Sequence, residues 1–247
     1  MIIAANWKAY VEEYARAKKL VAIAKRRARD LNGSVILAPP APFLGAFAPG
    51  NRSAIAFAAQ DVSLTTGGAH TGEATAQAYA AAGATYAIVG HSERRAAGDT
   101  DAVVAEKLAH AHAHELTPIL CIGERERDSE GRYLSFIREE LTAALDSRSQ
   151  KERARIIVAY EPIWAIGKTA ADAIAATDLA EMVAYIRKVL GELLPGKGAE
   201  RVPILYGGSV EPANARDLAA STGIDGFLVG HVSADPDSFA ALLRQFS

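Results

Sequence analysis

Residues 119–160 read ILCIGERERDSEGRYLSFIREELTAALDSRSQKERARIIVAY, and their pattern decides the fold class. Two short runs, 119–122 and 156–160, are apolar throughout and do not alternate with polar residues. Such strands suit a parallel sheet covered on both faces, whereas a half-exposed strand alternates. Between them, residues 133–145 read as an amphipathic helix. Strand, helix and strand in that order imply parallel pairing, because the helix supplies the crossover.

The same unit recurs outward in both directions. Strand candidates stand at 2–5, 35–38, 55–59, 86–89, 119–122, 156–160, 203–206 and 227–229. The clearest helices are 11–29, 101–114, 133–145, 179–190 and 236–246. Eight unbroken βα units predict closure into a (β/α)8 barrel, eight parallel strands ringed by helices. The 247 residues are close to the roughly 250 such a domain takes. An open doubly wound sheet is the competing architecture, but no Gly-x-Gly-x-x-Gly follows the first strand. No linker-like stretch divides the chain, so residues 1–247 are expected to form a single domain. Asp235-Pro236 offers a helix cap and first-turn proline, and Pro212 is placed to start a helix after Ser209.

Lys plus Arg is 27 against 29 Asp plus Glu, so no basic surplus suggests nucleic acid. The single cysteine, Cys121, excludes an internal disulfide and fits a reducing compartment. Neither a signal peptide nor a run near the roughly 18 apolar residues of a membrane span is visible, so a soluble cytoplasmic protein is expected. One connection, from Gln60 to Glu73, is long and rich in Gly, Thr and Ser, and loops of that length usually have a task. His110, His112 and His114 read as a positive helix end; the i, i+4 pair could hold a metal, but no third ligand is evident.

In such a barrel the active site forms where the C-terminal ends of the strands open into βα loops. Asn6-Trp7-Lys8 follow the first strand, Gly90-His91-Ser92-Glu93-Arg94-Arg95 the fourth, and Glu161-Pro162-Ile163-Trp164 the sixth. The seventh leads to Gly207-Gly208-Ser209 and the eighth to Gly230-His231. A carboxylate, an imidazole, an ammonium and two glycine-rich anion cradles thus converge, a kit suited to enolising a sugar phosphate.

These motifs, with 159–167 and Asp225-Gly226-Phe227-Leu228-Val229-Gly230, resemble in order and spacing those of the triosephosphate isomerase family, nearly end to end. The resemblance implies interconversion of dihydroxyacetone phosphate and glyceraldehyde 3-phosphate, with no metal or organic cofactor. Glu161 would be the base that takes a proton beside the carbonyl. His91, kept neutral at a helix N-terminus, would polarise the carbonyl oxygen; this family is a standard instance of that pairing. Lys8 would stabilise charge on the substrate oxygen, with Asn6 as a second donor and Glu93, like the family's buried glutamate, orienting Lys8. Backbone N–H groups at Gly167, Ser209 and Gly230 match the family's phosphate cradle. Cys121 matches a family cysteine on the fifth strand and reads as packing.

The family also implies a homodimer, joined through the loop from Gln60 to Glu73, with Thr71 approaching the neighbour's Asn6 and Lys8. Two departures stand out. His231 replaces the second glycine of the last cradle; its N–H is expected to face the phosphate while its ring lies at the rim, towards solvent. The closing loop after Glu161 reads Ala165-Ile166-Gly167-Lys168-Thr169-Ala170, lacking the usual second glycine and running longer before the next helix. Two other functions stay open: an isomerase of a longer ketose phosphate, such as a tetrulose phosphate, and a non-catalytic sugar-phosphate sensor. The sensor reading predicts loss of Glu161 or His91, and both are present.

Overall fold

The computed structural model describes residues 1–165, 174–196 and 198–247. Eight parallel strands close into a barrel in sequence order. They are β1 (Ile2–Asn6), β2 (Ser34–Ala38), β3 (Ile55–Ala59), β4 (Tyr86–Val89), β5 (Thr117–Ile122), β6 (Ile157–Tyr160), β7 (Ile204–Tyr206) and β8 (Gly226–Val229). Ile2 pairs with both Ser34 on β2 and Gly226 on β8, so the first strand has no free edge.

The unalternating strands follow from this closure. On β5, Ile119 and Cys121 belong to the cluster inside the barrel, while Leu120 and Ile122 belong to the layer beneath the helices. On β6, Ile157 and Ala159 likewise point in, and Val158 and Tyr160 out. Both faces are dry, so both carry apolar residues.

The helices are α1 (Tyr14–Arg27), α2 (Ala41–Phe47), α3 (Ala76–Ala81), α4 (Ser92–Ala96), α5 (Asp101–Ala113), α6 (Arg132–Leu145), α7 (Gln150–Arg153), α8 (Ala176–Leu193), α9 (Ala215–Ser221) and α10 (Pro236–Arg244). Asp235 caps α10 through Ser238 N–H at 2.9 Å, with Pro236 in the first turn, as expected. Pro212 does not start a helix: it lies in a turn, and α9 begins at Ala215. The N–H of Glu211 and the carbonyl of Ser209 are taken by the Asn214 side chain, which shapes that turn. The positive helix end also fails at His112, which is buried; burial pushes its pKa down to about 4, so the ring is neutral. No described helix is long and apolar enough to cross a membrane.

Candidate active site

Asn6, Lys8, His91, Glu161, Ser209, Gly230 and His231 line one pocket of about 70 Å3 at the C-terminal mouth of the barrel. Gly167, and with it the altered loop tip, lies outside the described residues.

The N-terminus of α4 organises the reacting end. Its first N–H, from Ser92, donates to Glu161 Oε2 at 3.0 Å, and the next, from Glu93, donates to His91 Nδ1 at 3.2 Å. These N–H groups have no partner within the helix, so side chains ahead of it accept them. An Nδ1 that accepts cannot carry a proton. The ring is therefore neutral, with its hydrogen on Nε2, and that nitrogen lies 3.2 Å from Glu161 Oε1. Both side chains are almost fully buried, at 7% and 3% exposure. Space for Glu161 depends on Gly207, where a Cβ would lie 2.8 Å from Glu161 Cγ.

Lys8 is held in the left-handed region, with φ of 46°, which is costly for a residue with a side chain. Its N–H donates to Asn6 Oδ1 at 3.0 Å, and its carbonyl accepts from Gln60 Nε2 at 3.0 Å. Its ammonium meets Glu93 Oε1 at 2.6 Å. Burial raises the Glu93 carboxyl, but the Lys8 hydrogen bond and charge outweigh it and hold the pKa below the ordinary value. Glu93 departs from the buried glutamate expected of it. Its side chain is 61% exposed, because it faces an open cleft of about 350 Å3 shared with Asn6, Lys8 and Gln60.

At the other end, Ser209 Oγ donates to Ala165 O at 2.9 Å, tying the loop after β7 to the hinge after Glu161. A single 3-10 turn (His231–Ala234) opens directly after Gly230. The His231 ring points outward, 58% exposed, as expected at the rim. Its partner was not foreseen: Nε2 lies 3.0 Å from Glu211 Oε1, so the loops after β7 and β8 are clasped together. The sequence gives no sign of this, since 20 residues separate the two.

Glu124 was also missed. Its Oε1 accepts from Tyr160 Oη at 2.8 Å and Trp164 Nε1 at 2.9 Å, and its backbone oxygen accepts Ile163 N–H at 3.0 Å. It therefore anchors the 3-10 turn Ile163–Ala165 that follows Glu161. Cys121 is fully buried in the barrel interior, and burial with the nearby Glu161 charge pushes its thiol well up, which suits packing.

The loop between β3 and α3 folds back on itself through Ser63 N–H to Ala74 O at 3.0 Å and a short Ser63–Glu73 side-chain bond. Its tip, including Thr71, is exposed.

Comparison with known proteins agrees with this geometry. A family model described as triosephosphate isomerase matches residues 1–246. The triosephosphate isomerase of Halorhodospira halophila is 42% identical over 247 residues, covering 98% of this chain and 96% of its own. Those of Moorella thermoacetica and Mycobacterium avium are 40% and 37% identical, each over 98% of this chain and covering 97% and 94% of their own. With the barrel closed, a histidine–carboxylate pair at its mouth and similarity running end to end, the chain belongs to the triosephosphate isomerase family.

Proposed function

We propose that this protein interconverts dihydroxyacetone phosphate and glyceraldehyde 3-phosphate through an enediolate. Glu161 takes the proton from carbon 1 of the ketose, and the Nε2–H of His91 donates to the carbonyl oxygen. Lys8, with Asn6, stabilises the developing oxyanion, and Glu93 orients Lys8. The Glu161 carboxylic acid then returns a proton at carbon 2, and His91 exchanges protons between the two oxygens. The phosphate rests on backbone N–H groups at Gly167, Ser209, Gly230 and His231, the last two at a helical turn whose first N–H groups lack internal partners. No metal or organic cofactor enters this scheme.

The observation that carries the reading is the 3.2 Å approach of His91 Nε2 to Glu161 Oε1 with Nδ1 already occupied. It supplies a neutral electrophile and a base side by side in a nearly dry site. Glu161 must release Ser92 N–H to reach a substrate carbon, so substrate has to compete with that bond. No observation favours the longer ketose phosphate or the sensor. A coupled assay with both triose phosphates and a tetrulose phosphate tests this: turnover of the trioses is expected, and turnover of the tetrulose alone, or of none, refutes it.

The reading extends to one domain over residues 1–247, located in the cytoplasm and acting as a homodimer. The loop from Gln60 to Glu73 presents Thr71 outward, while Glu93 stands uncovered in the cleft beside Lys8. A partner's loop tip in that cleft would dry the Lys8–Glu93 pair. Light scattering at micromolar concentration is expected to give a dimer; a fully active monomer overturns this part.

A further inference from the structure

Glu140 lies on α6, outside the barrel wall and away from the substrate pocket, yet it is only 2% exposed. Its Oε2 accepts Gly123 N–H at 2.8 Å, and its Oε1 lies 3.3 Å from Arg95 Nη1. Each contact reaches the backbone of one reacting group. Gly123 lies against Glu161: a Cβ there would sit 1.8 Å from Glu161 O, and Glu161 N–H bonds Ile122 O at 2.8 Å. Arg95 Nε donates at 2.9 Å to the carbonyl of Gly90, the residue before His91. Arg95 also belongs to α4, whose N-terminus holds both His91 and Glu161.

We propose that Glu140 is a positioning residue for the isomerisation, its carboxylate tying the ends of β4 and β5 together so that His91 and Glu161 keep their spacing. The proposal rests on the roles assigned above to those two residues. Removing either tie frees a strand end by a fraction of an ångström, and a displacement of about 1 Å can cost roughly 100-fold in rate.

The tie depends on charge. Arg95 (α4), Asp101 (start of α5), the Gly123 N–H and Glu161 all face the carboxyl, and Arg125 lines the same cavity of about 550 Å3. Burial pushes the Glu140 pKa up to about 7, against Arg95 and the Gly123 N–H. Glu140 thus ionises, and tightens on Arg95, as pH rises through neutrality. The cavity gives it a route to exchange its proton.

Steady-state pH profiles of the wild type, Glu140→Gln and Glu140→Asp test the idea. Glu140→Gln is expected to lower kcat about five-fold at pH 8 with KM within about two-fold, since only the geometry of the step changes. It should also erase an inflection near pH 7 that Glu140→Asp retains. A kcat profile of Glu140→Gln that coincides with the wild type, or falls equally at all pH values with the inflection intact, overturns the proposal. If Glu140→Gln does not fold, Glu140→Asp decides: a lowered kcat with KM within about two-fold supports the proposal, and a kcat equal to the wild type at every pH overturns it. Full activity of Glu161→Asp would instead refute the base assignment, which separates that failure from this one.

Discussion

The two ends of the pocket hold their histidine–carboxylate pairs in opposite surroundings. His91 and Glu161 meet at 3.2 Å with 7% and 3% exposure, whereas His231 and Glu211 meet at 3.0 Å with 58% and 34%. Distance hardly differs; burial does. A hydrogen bond between a neutral imidazole and a carboxylate is stronger in a buried site than in water. In the proposed reaction the buried pair is therefore where geometry and proton position set the rate. The exposed pair should trim anion binding at the proposed phosphate end by an amount that salt can screen.

The largest effect should come from the buried pair. Glu161→Asp keeps the fold and substrate binding but withdraws the carboxylate by about 1 Å, so kcat should fall on the order of 100-fold with KM little changed. Kinetics of the purified variant check this, and unchanged turnover removes Glu161 from its role.

Burial alone, without a catalytic task, can be sharpened at His112, whose two ring nitrogens have no hydrogen-bond partner among the described residues. Its pKa falls from 6.5 to about 4 through burial, so the folded state keeps the ring neutral. Between those pH values the unfolded chain binds more protons than the folded one, and stability is lost as pH drops through that window. Groups common to both proteins, Glu140 with its raised pKa among them, cancel in a comparison. On going from pH 7 to 4.5 the wild type should therefore lose on the order of 2 kcal/mol relative to His112→Leu, read by urea midpoints at both pH values. Parallel midpoints for both proteins would place the acid sensitivity elsewhere.

The exposed clasp should give the smallest effect, with opposite signs for its two members. Sulfate, a dianion throughout, is a suitable competitive probe. His231→Gly leaves Glu211 without its partner beside the anion and should weaken sulfate binding about two-fold. Glu211→Gln removes the opposing charge and should tighten sulfate slightly. Lys8, whose Nζ lies near Gly230, along with His91 and Glu161, faces the same pocket and is common to all three proteins. Identical inhibition profiles would show that the ring does not sense the anion.

The same contrast explains what the sequence made legible. The strands could be read because each is apolar on both faces; 55–59 and 86–89 coincide with β3 and β4, and the rest shift by one or two residues. Long amphipathic helices such as α6 and α8 were visible, but α2, α3 and α9 have six or seven residues, too few for a period to emerge. Glu161, His91 and Lys8 sit on strand ends, where topology brings them together. Glu124, Glu140 and Glu211 make the contacts that matter here with residues 17 to 45 positions away, so nothing local marks them. His112 was misread because a histidine at a helix end looks cationic until its burial is known.

The central claim is that a proton, passed through Glu161, moves between the two carbons. Isomerisation of dihydroxyacetone phosphate in deuterium oxide tests it most directly. A carboxylic acid proton exchanges with solvent, so glyceraldehyde 3-phosphate should carry deuterium at carbon 2, and Glu161→Asp should slow product formation and labelling together. Isomerisation at full rate with no deuterium in product or recovered substrate would mean that hydrogen moves directly between the carbons, and would contradict the account.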